Sequence, residues 1–199
     1  MIEVWSVVSN VFLFIWNSFT LWLNNLFIAP SSNYEIFKIL VPVYIGLFLA
    51  ELFQEKKGTS RGNAMTNAVI VLWGGVDFFI INAKDGMGSA DIAKLVIALA
   101  IILYGVYIII EGYIGNEMIK YIGRVREVSY FIMVFAPIYY TDAVLSAQYI
   151  FGAIAFFYLF YMTIEVVDKF IPDPKALVAD MKEAASVNLL QTTSKEKPI

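Results

Sequence analysis

The sequence lacks cysteine and histidine entirely: neither occurs among its 199 residues. Without cysteine the chain cannot form disulfides or offer a thiol nucleophile, and without either residue it lacks the usual ligands of zinc. The absence of histidine also removes imidazole as a general acid or base and as a haem ligand. We therefore predict no metal site, no cofactor and no catalytic residues, and we expect a protein that is not an enzyme; the one enzymatic alternative would depend on aspartates.

Charged residues are also scarce. They make up 16% of the chain and give a net charge of −3, so there is no basic surface of the kind that binds nucleic acid. In contrast, 60% of the residues are hydrophobic, whereas soluble domains are about 45–50% apolar. The apolar residues form long runs with the charges between them, which is typical of integral membrane proteins. We predict a multi-pass protein of the cell membrane, with the lipid bilayer as a partner.

Five apolar runs are long enough to cross a bilayer as helices, since a crossing takes about 20 residues. They cover residues 36–53, 64–82, 92–114, 128–144 and 149–167. A sixth run covers residues 4–29 and is too long for the core of a cleaved signal peptide. The fold class we predict is all-α: a polytopic bundle of five to six transmembrane helices, with residues 36–167 as its five-helix core.

Residues 1–30 are predicted to form a hydrophobic helix with a polar stripe. Glu3, Asn10, Asn17 and Asn24 recur every seven residues, and a helix brings such positions to one side. The helix could lie in the membrane interface with its stripe toward water. It could instead span the bilayer and bury the stripe against other helices through amide hydrogen bonds. Interfacial helices usually carry Lys or Arg on the polar face, and this stripe has neither, which favours spanning.

The basic residues between the runs predict the orientation, because loops rich in Lys and Arg stay in the cytoplasm. Three basic segments alternate with segments poor in basic residues, which places the C-terminus in the cytoplasm. The basic residues are Lys56, Lys57 and Arg61 in the first segment, Lys120, Arg124 and Arg126 in the second, and Lys169 and Lys175 in the third.

The chain after the last run predicts a short amphipathic helix over residues 172–190 on the cytoplasmic side. Asp173 followed by Pro174 is typical of a helix start. The apolar face of this helix could pack on its own protein, or residues 174–190 could bind a cytoplasmic partner. Residues 191–199 are polar and are predicted to be a flexible tail.

Three acidic residues would lie at the cytoplasmic ends of the predicted helices. Because a charge in lipid is costly, such residues are functional candidates. Lysines follow each of the three in the sequence, so the acids could form a ring of paired charges that anchors helix ends, or a vestibule that attracts cations. The acids and their predicted partners are Glu51 with Lys56 and Lys57, Glu111 with Lys120, and Glu165 with Lys169.

Two further acids, Asp77 and Asp142, would lie near the outer ends of their helices. They suggest an outer site for a cation, reached along a path of polar side chains. Pro42 and Pro137 lie inside apolar runs, where a proline removes a backbone hydrogen bond and kinks a helix, so we predict that they gate this path. The other path residues would be Asn63, Asn67, Tyr139, Tyr140 and Thr141.

The polar face of the second run has another interpretation. Asn63, Asn67 and Asp77 lie on one side of a helix, which could form a seam with a neighbouring helix. In that arrangement Asp77 would pair with Lys84 or Lys94.

Three functions therefore stay open. The first is a transporter or channel for a cation or small solute, and the second is a non-catalytic subunit of a membrane assembly, either a homo-oligomer or a complex with other membrane subunits. The third rests on a resemblance: Gly74-Gly75-Val76-Asp77 and Tyr140-Thr141-Asp142 resemble the aspartate motifs of intramembrane aspartyl proteases, with one glycine displaced and one threonine inserted. That resemblance implies two aspartates that share one proton.

Overall fold

The computed structural model describes residues 2–55, 58–84, 89–141, 143–172, 174–175 and 178. Within these residues every regular element is a helix, which confirms the predicted all-helical class. Asp142, most of the predicted cytoplasmic helix at 172–190 and the predicted tail at 191–199 lie outside the described residues.

The described part of the chain contains nine α-helices and two π-helical turns. The first three α-helices are α1 (Ile2–Leu23), α2 (Ala29–Ser32) and α3 (Tyr34–Ala50), with π-turns at Asn24–Ile28 and Glu51–Glu55. The next three are α4 (Arg61–Lys84), α5 (Ser89–Ile114) and α6 (Ile119–Ile122). The last three are α7 (Val125–Tyr140), α8 (Ala147–Ala155) and α9 (Phe157–Phe170).

Five helical stretches are long and apolar enough to cross a membrane. They are Val4–Ser32, Tyr34–Phe53, Arg61–Lys84, Ile92–Ile114 and Ala147–Phe170. Four of them match predicted core runs, and the first matches the N-terminal run. Three of the stretches are not uniform α-helix. α1 passes through a π-turn into α2, α3 passes into the π-turn Glu51–Glu55, and a turn at Phe156 separates α8 from α9.

The run predicted at 128–144 forms a different kind of helix. α7 has 16 residues, of which twelve are buried. At about 1.5 Å per residue it is roughly 24 Å long, shorter than the ~30 Å apolar layer of a bilayer. It ends at Tyr140 because Thr141 adopts an extended conformation. The neighbouring α3 and α4 pack against α7, which makes it the central helix of the bundle.

Buried tyrosines connect α7 to α1 and α8. Tyr130 of α7 accepts a hydrogen bond from Trp22 Nε1 of α1 at 2.9 Å and donates to the carbonyl oxygen of Ala153 in α8 at 2.6 Å. Tyr149 of α8 donates to the carbonyl oxygen of Val134 in α7. These bonds satisfy the polar atoms of large side chains that are otherwise surrounded by apolar groups.

The two predicted kink residues lie inside helices. Pro42 is an exposed residue of α3, and Pro137 is a buried residue of α7. Both helices continue past the proline, and α7 ends three residues later. The role of these prolines in gating stays a prediction.

Glycines bring α4 and α5 into close contact. Gly75 of α4 faces the backbone of Ile102, and Gly105 of α5 faces the backbone of Leu72. A Cβ atom at either glycine would lie 2.9 Å from the facing backbone nitrogen, closer than real Cβ atoms approach. The two helices therefore pack at a distance that larger residues do not allow.

We expect Gly105→Ala to destabilise the protein, because the added methyl group would force the backbones of α4 and α5 apart. Overpacking of this kind costs about 1–3 kcal/mol. Gly46→Ala in α3 is the matched control, since no atom lies within 4 Å of the position of its Cβ. Thermal unfolding in detergent should show a lowered midpoint for Gly105→Ala alone. Equal midpoints for the two variants would contradict the close packing of α4 on α5.

Candidate functional site

A cluster of charges joins the π-turn that follows α3 to α7 and α9. Arg126 of α7 donates from Nε to Glu51 Oε1 at 2.6 Å and from Nη2 to Glu51 Oε2 at 2.7 Å, which is a bidentate contact. Its Nη1 donates to Glu165 Oε2 of α9 at 2.6 Å. The side chains of Arg126 and Glu51 are 4% and 6% exposed, and that of Glu165 is 35% exposed. One guanidinium thus binds the carboxylates of two other helical segments.

Residues of α9 extend the cluster. The guanidinium of Arg126 lies 5.0 Å from the ring centre of Tyr161, and the hydroxyl of Tyr161 accepts a hydrogen bond from Arg124 Nη1 at 2.7 Å. Lys169 Nζ lies 3.9 Å from Glu165 Oε1, which is a looser ion pair on the exposed side. Tyr161 therefore contacts two arginines and holds α9 against the start of α7.

The geometry of the cluster suits a structural role. Arg126 is the second residue of α7, where the positive end of the helix dipole disfavours a cation. The bidentate carboxylate of Glu51 compensates for this position, because charge-assisted pairs of that geometry are among the strongest in proteins. Both carboxylates are bound by the guanidinium, so the cluster fastens the ends of three helical segments rather than presenting a free base.

The structure brings two acids of the predicted ring to one partner. Glu51 and Glu165 come together, but their shared partner is Arg126, which the sequence assigns to a basic segment between helices. The predicted pair of Glu165 with Lys169 is confirmed. The two lysines predicted to pair with Glu51 lie outside the described residues.

Glu111 takes no part in this cluster, and its predicted partner was wrong. Its Oε2 accepts a hydrogen bond from Asn116 Nδ2 at 2.8 Å. Lys120 instead pairs with Glu117 at 2.5 Å, because a spacing of three residues brings the two side chains to the same side of a helical turn. Hydrogen bonds from Lys120 and from Arg61 lower the pKa of the Glu117 carboxyl below its usual value.

Two residues of the predicted outer site are in contact between α4 and α7. Tyr140 donates its hydroxyl to Asp77 Oδ2. Among the described residues, Tyr140 rather than Lys84 or Lys94 is the hydrogen-bonding partner of this carboxylate. Asp142 lies outside the described residues, so the distance between the two aspartates stays untested, and with it the resemblance to aspartyl proteases.

Two other predicted path residues at the end of α7 bond within the chain. Tyr139 donates to the carbonyl oxygen of Lys94 in α5 at 2.5 Å. Thr141 donates from Oγ1 to a carbonyl oxygen of its own helix at 2.7 Å. These hydroxyls thus stabilise the end of α7 and its contact with α5.

The polar face of α4 contacts α7 and the residues just before α7. Asn67 is buried and donates from Nδ2 to the carbonyl oxygen of Gly123 at 3.1 Å. Asn63 lies in the first turn of α4, where its backbone N–H donates to Ser60 Oγ at 3.1 Å. The described contacts therefore agree with the seam interpretation of this face.

A groove of about 780 Å³ lies between α3 and α4. Its lining includes Pro42 of α3, Trp73 of α4 and Ile132 of α7, and its polar members are Lys38 and Thr66. The described residues that line it include no carboxylate. The groove is therefore an apolar cleft between helices and differs from the acidic path that the sequence predicts.

The first half of α1 is the least covered part of the described chain. All residues of the range 4–13 are exposed. Packing begins at Phe14, whose ring centre lies 5.3 Å from that of Phe151 in α8, and continues at the buried Ser18 and Trp22. The upstream part of α1 thus extends away from the bundle.

The polar stripe of α1 faces away from the contact with α8. Asn10, Asn17 and Asn24 are all exposed. Because consecutive residues of a helix are about 100° apart, the stripe lies roughly 120° around the helix from Ser18 and Trp22. The helices of the described chain therefore leave the stripe uncovered.

Comparisons of the chain with protein-family models, with curated proteins and with solved structures find no match.

We expect Arg126→Met to lower the free energy of unfolding by about 3–5 kcal/mol, because it leaves two carboxylates without their buried partner. A triple variant with Arg126→Met, Glu51→Leu and Glu165→Leu should recover much of this loss, since all three charges are removed together. Unfolding in detergent by heat or denaturant measures both effects.

Lys120→Ala is the control for this series. It removes an ion pair whose side chains are 38% and 59% exposed, and exposed pairs contribute little to stability. If the triple variant were no more stable than Arg126→Met, the buried charges would not be the cause of the loss.

Proposed function

We propose that the chain is a non-catalytic integral membrane subunit that joins another membrane protein chain through α1. One observation carries this proposal: the amide stripe of Asn10, Asn17 and Asn24 is exposed on an otherwise apolar helix, and the described chain does not cover it. The stripe is therefore available to a second protein.

The outer surface of the bundle supports insertion into a bilayer. Trp73, Leu103 and Ile154 are 71%, 66% and 72% exposed and lie within helices long enough to span. Soluble monomers rarely expose apolar surface of this extent. We place the Arg126 cluster on the cytoplasmic side, because the basic segments of the sequence lie near it.

The cost of an uncovered amide supports a partner helix. Moving an amide from water into hydrocarbon without a hydrogen bond costs roughly 4–8 kcal/mol. Three amides in one line would each carry such a cost if they faced lipid tails. A neighbouring helix with donors and acceptors at the same depths removes it, and amide side chains are known to join helices in membranes in this way.

The interior of the bundle also supports a structural role. Asn67, Tyr139 and Tyr140 use their polar atoms in bonds between helices, and the carboxylates around Arg126 are bound by its guanidinium. Such groups stabilise the bundle, whereas a solute path needs side chains whose hydrogen bonds are available to the solute.

The test compares two sets of substitutions in α1. The first replaces Asn10, Asn17 and Asn24 by Leu, and the control is Val8→Leu, an exposed residue on the other side of the same helix. After gentle extraction from native membranes, the wild type and the control should elute as a particle larger than one 22.5 kDa chain. The triple variant should elute as a single chain.

Light scattering with the detergent contribution subtracted gives the protein mass of each particle. The unfolding midpoint of the triple variant should not fall, because the asparagines are exposed within the chain. A wild-type protein that elutes as one chain, or a triple variant that keeps the larger particle, would overturn the proposal.

A second candidate function is the transport of a cation or small solute, and one contact favours it. The hydroxyl of Tyr140 binds Asp77 at the end of α7. This contact brings two of the predicted path residues together, directly before Thr141 and Asp142 in the sequence. An outer acidic site for a cation would include Asp77 and Tyr140.

Flux measurements in proteoliposomes test the second candidate. We expect Asp77→Asn to lower the uptake of Na⁺, K⁺ or protons at least about tenfold, because the substitution removes the charge that attracts a cation. Glu35→Gln is the control, since Glu35 is an exposed acid at the start of α3, paired with Lys38 at 2.7 Å. Wild-type protein without flux, or equal flux from the wild type and Asp77→Asn, would exclude this function.

A further inference from the structure

We propose that the partner of α1 is α1 of a second copy of the same chain, in a parallel pair; this inference rests on the proposed function and names its partner. The stripe repeats every seven residues, at Asn10, Asn17 and Asn24. On a straight helix a seven-residue repeat drifts by about 20° per repeat, whereas in a left-handed pair of helices it stays on the shared seam. The strict repeat is therefore typical of a helix with a helical partner.

The residues between the asparagines fit the same seam. If the asparagines occupy the a positions of a heptad, the d positions are Ser6, Leu13 and Thr20. Ser6 and Leu13 are exposed and Thr20 is half-buried, so most of the a/d face is accessible in the described chain. Small and medium-sized side chains at these positions let two helices approach closely, as membrane helix pairs require.

The chemistry of the amide favours a second copy over an unrelated partner. A side-chain amide both donates and accepts hydrogen bonds, so an asparagine is complementary to its own copy across a two-fold axis. In a parallel pair each a residue faces the same residue of the partner helix, which places Asn10, Asn17 and Asn24 opposite their copies. Copies inserted in one orientation also present a spanning helix in the same direction.

The surface is available without rearrangement of the chain. α1 packs on α8 through Phe14, Ser18 and Trp22. Ser18 and Trp22 lie roughly 120° from the stripe and Phe14 roughly 60°, so pairing along the stripe uses a different side of the helix. The π-turn Asn24–Ile28 begins at the last asparagine of the repeat and shifts the helical register. The seam therefore ends where the repeat ends.

Single cysteines can test this pairing without interference, because the chain contains no cysteine of its own. Asn10→Cys and Asn17→Cys place a thiol on the seam, and Val8→Cys and Phe12→Cys place one on the exposed opposite side. We oxidise each variant in native membranes with copper phenanthroline and measure the band of two linked chains. Since a disulfide needs Cβ atoms about 3.5–4.5 Å apart, positions 10 and 17 should link in roughly fivefold or greater yield than positions 8 and 12.

Other outcomes would overturn the inference. Linkage at position 17 alone would indicate an antiparallel pair, which brings the centres of two helices together but not their equivalent ends. Equal yields at all four positions would indicate random collision. If no copies link while the triple asparagine variant still loses the larger particle, the partner is another protein and the subunit function stands. If the wild type forms no larger particle, both the inference and the proposed function fail.

Discussion

The bidentate contact between Arg126 and Glu51 fixes one end of α7, and the rest of the bundle is arranged around that helix. The middle of α7 is held by Tyr130, which bonds to both α1 and α8, and its other end is held by the bond from Tyr140 to Asp77. A helix anchored at three levels can be short and almost wholly buried, because its neighbours rather than its length determine its position. The charged cluster thus holds one end of the helix on which α3 and α4 pack.

Tyrosine hydroxyls donate hydrogen bonds to backbone carbonyl oxygens at places where the helices are irregular. Tyr44 donates to the carbonyl oxygen of Leu26 in the first π-turn, and Tyr104 donates to that of Ile122 at the end of α6. Carbonyl groups at such places lack a regular partner, and in an apolar interior water is not available to supply one. A tyrosine ring packs against the surrounding apolar side chains, and its hydroxyl group donates one hydrogen bond to a carbonyl oxygen that lacks a partner.

The length and hydropathy of the runs were sufficient to predict the helices, but not which helix is central. A run such as 128–144 has the same composition whether lipid or protein surrounds it, so its burial could not be predicted from apolarity. The partner of Arg126 was beyond sequence reasoning for a related reason: Glu51 lies 75 residues away, whereas nearby lysines offered simpler pairs. One signal was present, since Arg126 shares a helical face with Tyr130 and Met133, and both are buried. The stripe of α1 was visible in the sequence as a repeat. Whether the stripe is covered could not be predicted, because this depends on which side of α1 packs on α8.

The central position of α7 has a consequence for the order in which the protein is made. α3 and α4 leave the ribosome before α7, and α9 leaves after it, so Glu51 is already in place when Arg126 appears and Glu165 arrives last. A helix of 16 residues with an arginine in its first turn is a poor candidate for independent insertion, because lipid cannot neutralise that charge. Its entry into the proposed membrane therefore depends on helices that are already there. The central helix is added after α3 and α4, and α9 packs against it last.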